Sequence, residues 1–107
     1  MDYLLTEEQK MVQELSRKIA EEKIRPVAAK YDKTEEYPWE IIKIIAQAGL
    51  FGLFIPETYG GMGINVLGLC LATEELSRAC GGIAVCYAAS ALGTFPIVLF
   101  GNDEQKQ

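Results

Sequence analysis

Histidine is absent from this sequence. Its absence removes the commonest metal ligand and the most frequent general base, and with them most metal-hydrolase and triad chemistries within these residues. Cysteine is scarce: Cys70, Cys80 and Cys86 are odd in number and make no C-x-x-C pair. Reduced thiols that pack as small buried hydrophobes are expected, which fits a cytoplasmic protein. The opening residues, MDYLLTEEQK, lack a basic n-region and do not look like a signal peptide. Positive charge is also in deficit, with a formal net charge of −5. Such a chain repels phosphate backbones and anionic lipid surfaces, so nucleic acid is excluded as the expected partner. The glycine-rich run Gly60-Gly61-Met62-Gly63 is neither G-x-G-x-x-G nor a P-loop. Its expected role is to supply positive φ between two helices rather than to bind phosphate. There is no internal repeat and no low-complexity segment.

Charge is missing altogether from Ala79 to Asn102. A run of that length raises a transmembrane helix. Gly81, Gly82, Ser90, Gly93, Thr94, Pro96 and many alanines lower its hydrophobicity, and no Lys/Arg cluster flanks it. A helix buried in the centre of a soluble bundle, with no stable membrane insertion, is the better expectation.

The remaining residues read as helices. At 107 residues, half of them hydrophobic, the chain suffices for one small domain of modest stability. Thr6-Glu7-Glu8-Gln9 is a capping box, and Val12, Leu15 and Ile19 follow at helical spacing. Pro26 should kink or restart the helix near Arg25, and the helical pattern resumes through Tyr31 and decays over Asp32-Lys33-Thr34. Pro38 suits a first helical position; Ile41, Ile44, Ile45 and Ala48 make an amphipathic face, and Gly49 a C-terminal cap. Leu50 to Gly63 reads as an ordered loop. A helix is expected from about Val66 to Ala79, with Leu69, Ala72 and Leu76 on one face, a solvated Glu74–Arg78 pair, and a break at Gly81-Gly82. The segment from Ile83 to about Phe95 is apolar all round, and Pro96 is placed to bend it. Asn102-Asp103-Glu104-Gln105 starts one more helix.

Two constellations invite chemistry. Glu57, Glu74 and Glu75 are the carboxylates near ordered structure, but a shifted pKa needs burial or a charged neighbour. Glu74 and Glu75 beside Arg78 read as an ordinary surface pair, and no catalytic residue is nominated. The second is a small-residue face. Ala84, Ala88 and Leu92 lie at i, i+4 and i+8, with Ala89 and Ala91 adjacent. Such a face either lets another helix approach closely or leaves space for an apolar ligand; periodicity does not separate the two, and close packing is the default.

Four motifs in order resemble the acyl-CoA dehydrogenase family and together cover nearly the whole chain. Tyr31 to Pro38, YDKTEEYP, resembles the stretch joining that family's first helices. Ile55 to Gly63, IPETYGGMG, is similar to its P-E-x-Y-G-G-x-G loop. Glu74 to Arg78, EELSR, is similar to its E-E-L-[SA]-R helix, and Gly101 to Lys106, GNDEQK, to its G-[NTS]-x-E-Q-K helix start.

The resemblance implies an all-α fold: an up-and-down bundle of about five to six helices over residues 1–107, corresponding to the N-terminal domain of the acyl-CoA dehydrogenase fold. The middle β-domain and C-terminal helical domain would lie outside this sequence. It implies FAD, held between those later domains and often across a homo-tetramer interface, and α,β-dehydrogenation of an acyl-CoA thioester, a reaction of fatty acid metabolism. In that reaction a glutamate takes the α-proton, the β-hydrogen leaves as hydride to the flavin, and electrons pass to an electron-transferring flavoprotein. Neither the catalytic glutamate nor the main flavin contacts match residues here, so this chain alone is expected to be inactive. What it would contribute is a wall of the acyl-chain pocket, at the matching positions Ala84, Ala88, Ala89 and Leu92. Some members carry glutamate where Ala88 stands, so a deeper or wider apolar pocket is expected. An acyl-CoA oxidase or flavin monooxygenase of the same fold remains an alternative, as does a stand-alone helical binding module.

Overall fold

The computed structural model describes residues 5–107. Six α-helices carry the architecture, and no strand occurs among the described residues: α1 Glu7–Ile19, α2 Ala28–Thr34, α3 Trp39–Gln47, α4 Val66–Ala79, α5 Gly81–Phe100 and α6 Asp103–Lys106. The reading of the first residues as no leader falls partly on Met1 to Leu4, which lie outside the described residues.

The capping box at Thr6 forms in full. Gln9 N–H donates to Thr6 Oγ1 at 3.2 Å, and Thr6 N–H donates to Gln9 Oε1 at 3.0 Å. Pro26 then sets the path of the backbone beyond α1. It has no N–H, and its ring crowds the preceding turn. The backbone widens into a π-turn over Ala20–Ile24, with Arg25 N–H reaching back to Ala20 O, and tightens to a 3-10 turn over Arg25–Val27 before α2. Single π-turns inside helices are uncommon and mark a local insertion. Glu35 ends α2 in the left-handed conformation, φ 60°.

Pro38 occupies the N-cap of α3, one position earlier than expected, and Gly49 ends that helix region with φ 83°. Ile41 and Ile45 are buried. The Leu50–Gly63 loop is ordered, with 3-10 turns at Leu50–Gly52 and Glu57–Tyr59.

Helix α4 is the central strut, packing against α1 on one side and α5 on the other. Ala72 and Leu76 are fully buried, whereas Leu69 is half-buried at the edge of the same face. The break after α4 falls at Cys80, whose backbone is extended, and Gly81 and Gly82 already form the first turn of α5. Helix α5 runs on through Pro96 to Phe100. Leu92, whose carbonyl loses its partner at Pro96, is exposed, as is Pro96 itself. Water can take the vacant hydrogen bond there. Asn102 caps α6 with a second reciprocal box to Gln105.

One expectation is corrected outright. Helix α5 is not enclosed in a bundle centre: Ile83, Ala84, Tyr87 and Ala91 are buried, but Val85, Leu92, Leu99 and Phe100 are exposed, Phe100 by 87%. The fold measures 42 × 35 × 19 Å. Its thin dimension accommodates only two layers of helices about 10 Å thick, so a helix in either layer has one uncovered face. The cysteines are also less buried than expected: Cys70 is exposed on α4, and Cys80 and Cys86 are half-buried.

Candidate functional site

The small-residue face winds around α5 rather than lining one side of it. Each residue of an α-helix turns about 100° around the axis, so Ala84, Ala88, Leu92 and Ala89 step progressively away from the buried stripe of α5. Ala84 is buried in the core at 1% exposure, Ala88 is half-buried, and Ala89 and Leu92 are exposed, Leu92 by 76%. The four do not surround a cavity within the described residues. They form an open strip, with Ala84 packed behind it and Ala88 at its edge. Sequence reading misses how far the strip extends. Val85, Pro96, Leu99 and Phe100 continue it to the helix end, all exposed. The signal is the uncharged run itself, which composition alone assigns wholly to burial. An apolar strip this long marks a surface that something else covers.

An apolar concavity of about 510 Å³ lies elsewhere, between α1 and the loop after α3. Its lining is Met11, Val12 and Leu15 of α1, with Ala48, Leu50, Met62 and Ile64, and Glu8 at the rim. Met11 and Met62 are 67% and 43% exposed. Thioether side chains are flexible and polarisable, which suits a surface that adapts to a partner. No feature of the sequence alone brings these residues together, because they meet only through the loop's fold.

That loop is a rigid unit. Met62 N–H donates to Gly52 O at 2.7 Å, Ile64 N–H to Leu53 O at 2.8 Å and Gly63 N–H to Ile55 O at 2.9 Å. Gly60 and Gly63 adopt positive φ, as the run of glycines suggests. Gly61 does not; it is there because a Cβ at that position would overlap the Ile55 carbonyl and side chain. Asn65 is unexpected. Its backbone sits at φ 89°, ψ −177°, a region almost confined to glycine, while its side chain accepts from the Leu67 and Gly68 amides and caps α4.

The carboxylates resolve differently from the expected surface pair. Glu74 is exposed, and Arg78 pairs with Glu75 instead, Nη1 to Oε2 at 3.2 Å. Arg17 of α1 also donates to Glu75 twice, at 3.1 and 2.9 Å. Glu75 points at α1 and is 3% exposed, so two cations satisfy it while Glu74 faces water. Hydrogen bonding from Arg17 outweighs desolvation and holds the Glu75 carboxyl below its usual range. Because its folded pKa is depressed, the stability it contributes is fully present above its ordinary value near 4.5 and is lost as pH falls through the lower folded value. Urea unfolding should therefore show a stability drop below that pH which Glu75→Gln flattens; an equal drop in the variant would remove Glu75 as its source. The role of this triad is to tie α1 to α4, and nothing about it offers an acid or base to a substrate.

Tyr87 is fully buried on α5, and its hydroxyl donates to Leu50 O at 2.8 Å. Burial pushes its pKa well above the phenol range, so it stays a neutral donor. Phe51 packs beside it with ring centroids 5.2 Å apart. Among the described residues there is no cluster of His, Cys, Asp or Glu that could hold a metal ion.

Comparison with known proteins gives these surfaces a context. The family model described as "Acyl-CoA dehydrogenase, N-terminal domain" matches residues 6–107. The probable acyl-CoA dehydrogenase YngJ of Bacillus subtilis (strain 168) is 42% identical over 108 residues, covering 100% of this chain and 28% of that protein. A 3-(aryl)acrylate reductase of Clostridium sporogenes is 44% identical over 104 residues, covering 95% of this chain and 27% of that protein. Butyryl-CoA dehydrogenase from Megasphaera elsdenii superposes with a TM-score of 0.88 at 34% identity, over 99% of this chain and 29% of that one. A chain in the structure described as "Electron transferring flavoprotein of Acidaminococcus fermentans: Towards a mechanism of flavin-based electron bifurcation" superposes with a TM-score of 0.91 at 39% identity, over 100% of this chain and 28% of that one. The chain thus spans just over a quarter of the length of the curated relatives it matches.

Proposed function

Because the chain belongs to the acyl-CoA dehydrogenase family and has the fold of that family's N-terminal domain, we propose that it serves as one wall of an acyl-CoA dehydrogenase active site. The full-length protein in this reading is an FAD-dependent oxidoreductase that desaturates an acyl-CoA thioester. The observation that carries the reading is the uncovered apolar strip of α5, on which Ala89 and Leu92 are exposed and Ala88 borders the core. The remaining domains and the acyl chain cover that strip. Ala88, Ala89 and Leu92 contact the acyl chain, and Ala84 backs them from the core.

In this reading FAD would be held by the family's other domains, as the resemblance implies. When bound, it accepts the hydrogen pair that the substrate loses. The residues of this chain bind, orient and dehydrate the acyl chain, and the surface of α5 sets no charged side chain against it. Homo-tetramer assembly and a cytoplasmic location complete the proposal; three free cysteines among the described residues support the latter. The test is anaerobic mixing of the full-length flavoprotein with acyl-CoA thioesters. Bleaching of the flavin band supports the reading, and a spectrum unchanged by every acyl chain length contradicts it. The similarity to 3-(aryl)acrylate reductase favours a second reading, in which the same wall accepts an aryl-substituted enoyl substrate for reduction. Rapid oxygen consumption in the same assay would point instead to an oxidase of this fold.

Electron-transferring flavoprotein is the proposed electron acceptor, a partnership that the match to a chain in the structure named for such a protein supports. The groove of Met11, Leu15 and Met62 is the surface of this domain assigned to it. It is exposed and apolar, and Glu8 on its rim favours a basic partner. Met11→Lys should raise the KM for that flavoprotein about tenfold, about 1.4 kcal/mol in affinity, while leaving acyl-CoA turnover with an artificial dye unchanged. Equal KM values for variant and wild type would locate the docking surface elsewhere.

A further inference from the structure

Helix α5 presents a problem of orientation. It carries no charged side chain, and its inward and outward faces are both apolar. Hydrophobic burial fixes a helix's rotation only when one face is more apolar than the other. Of the four residues that α5 buries, Ala84 and Ala91 are small, so Ile83 and the Tyr87 ring carry most of what shape contributes to its seating.

A directional contact made by one of those two residues adds to the register. Three side-chain hydrogen bonds start on α5 among the described residues. Ser90 to Cys86 O and Thr94 to Ser90 O stay within the helix. Only Tyr87 to Leu50 O leaves it. The acceptor is a fixed point, because Leu50 belongs to the loop unit held by the backbone bonds from Met62, Gly63 and Ile64. The donor is fully buried, so any rotation that broke the bond would strand a polar group away from water. Phe51, beside the Tyr87 ring, restricts its sideways movement.

Tyr87 directly precedes Ala88 and Ala89 in the sequence. We propose that Tyr87 is a positioning residue: its buried hydrogen bond to Leu50 O sets the rotation of α5 and so decides which of its small side chains face the acyl chain. A single buried polar contact is known to select one register among apolar alternatives in helical assemblies. The proposal rests on the acyl-CoA reading for its consequence, while the orienting role stands on the hydrogen bond alone.

Tyr87→Phe tests it, because it keeps the ring and its packing and removes only the hydroxyl. In the full-length flavoenzyme, the ratio of kcat/KM between the preferred acyl-CoA and a longer homologue should fall about fivefold or more, with flavin content unchanged. A crystal structure of the variant should show α5 turned relative to the Leu50–Ile64 loop. A lowered Tm with an unchanged ratio would make Tyr87 a stabilising residue only and overturn the proposal. If the wild-type protein reduces its flavin with no acyl-CoA, the acyl-CoA reading fails, and the crystal structure alone decides: α5 in the wild-type rotation overturns the proposal, and a turned α5 upholds it.

Discussion

Gly61→Ala should destabilise the protein by about 3 kcal/mol or more, which is large beside the roughly 5–15 kcal/mol that holds a small domain folded. The added Cβ would overlap the Ile55 carbonyl and side chain. Backbone cannot yield there as a flexible side chain could, because Gly63 N–H already donates to the same Ile55 carbonyl. The whole unit that carries Leu50, Met62 and Ile64 would have to open, so the groove would be lost with the stability. Gly60→Ala provides the control. It imposes a left-handed backbone on alanine at φ 87°, but meets nothing within 4 Å, and should cost only about 1 kcal/mol. Urea unfolding of both variants separates the two causes; a Gly61→Ala cost no larger than that of Gly60→Ala would remove the close approach as the reason for glycine.

Ala88→Phe should change acyl-chain preference by up to about 100-fold, measured as the ratio of kcat/KM for long against short acyl-CoA thioesters. A single methylene in an apolar pocket already changes that ratio tenfold or more, and the phenyl group is several times larger. The site tolerates the substitution because Ala88 borders the outward strip of α5 and is only half-buried. At Ala84 or Ala91, each 1% exposed, the same ring would overpack the core and unfold the domain instead. The side chain should therefore project into the space proposed for the acyl chain, excluding long chains and sparing short ones. An unchanged ratio in a folded, flavin-loaded Ala88→Phe variant would mean that α5 does not line the pocket.

Local rules make most of the fold legible. The Thr6–Gln9 and Asn102–Gln105 boxes, the disturbance ahead of Pro26, the cap at Gly49 and the limits of α4 all depend on neighbours within a few residues in the chain. The misreadings concern contacts that sequence spacing cannot report. Glu74 and Glu75 are equally placed beside Arg78 by helical geometry, but only the contact with α1, through Arg17, makes Glu75 the buried partner. An all-apolar α5 reads as enclosed on all sides, since composition reports that a surface avoids water and not whether the same chain supplies the cover. Cys70 faces solvent for a related reason: its position on α4 lies away from both packing faces. The strained backbone of Asn65 has no signal at all beyond asparagine's ability to cap a helix.

The candidate site divides along the same line. The small residues of α5 are visible in the sequence, and their division into a packed Ala84, a bordering Ala88 and outward Ala89 and Leu92 needs the helix rotation. The methionine-lined groove is not visible, because Met11 and Met62 are brought together by the glycine-rich loop folding back on α1.

If these residues wall one side of a flavoenzyme's acyl-CoA site, the protein as its source cell makes it should be a polypeptide of several hundred residues carrying a flavin absorption band, read from its mass and visible spectrum. A stable, colourless product ending at Gln107 would contradict that reading, and would leave a helical module that binds or scaffolds without catalysing.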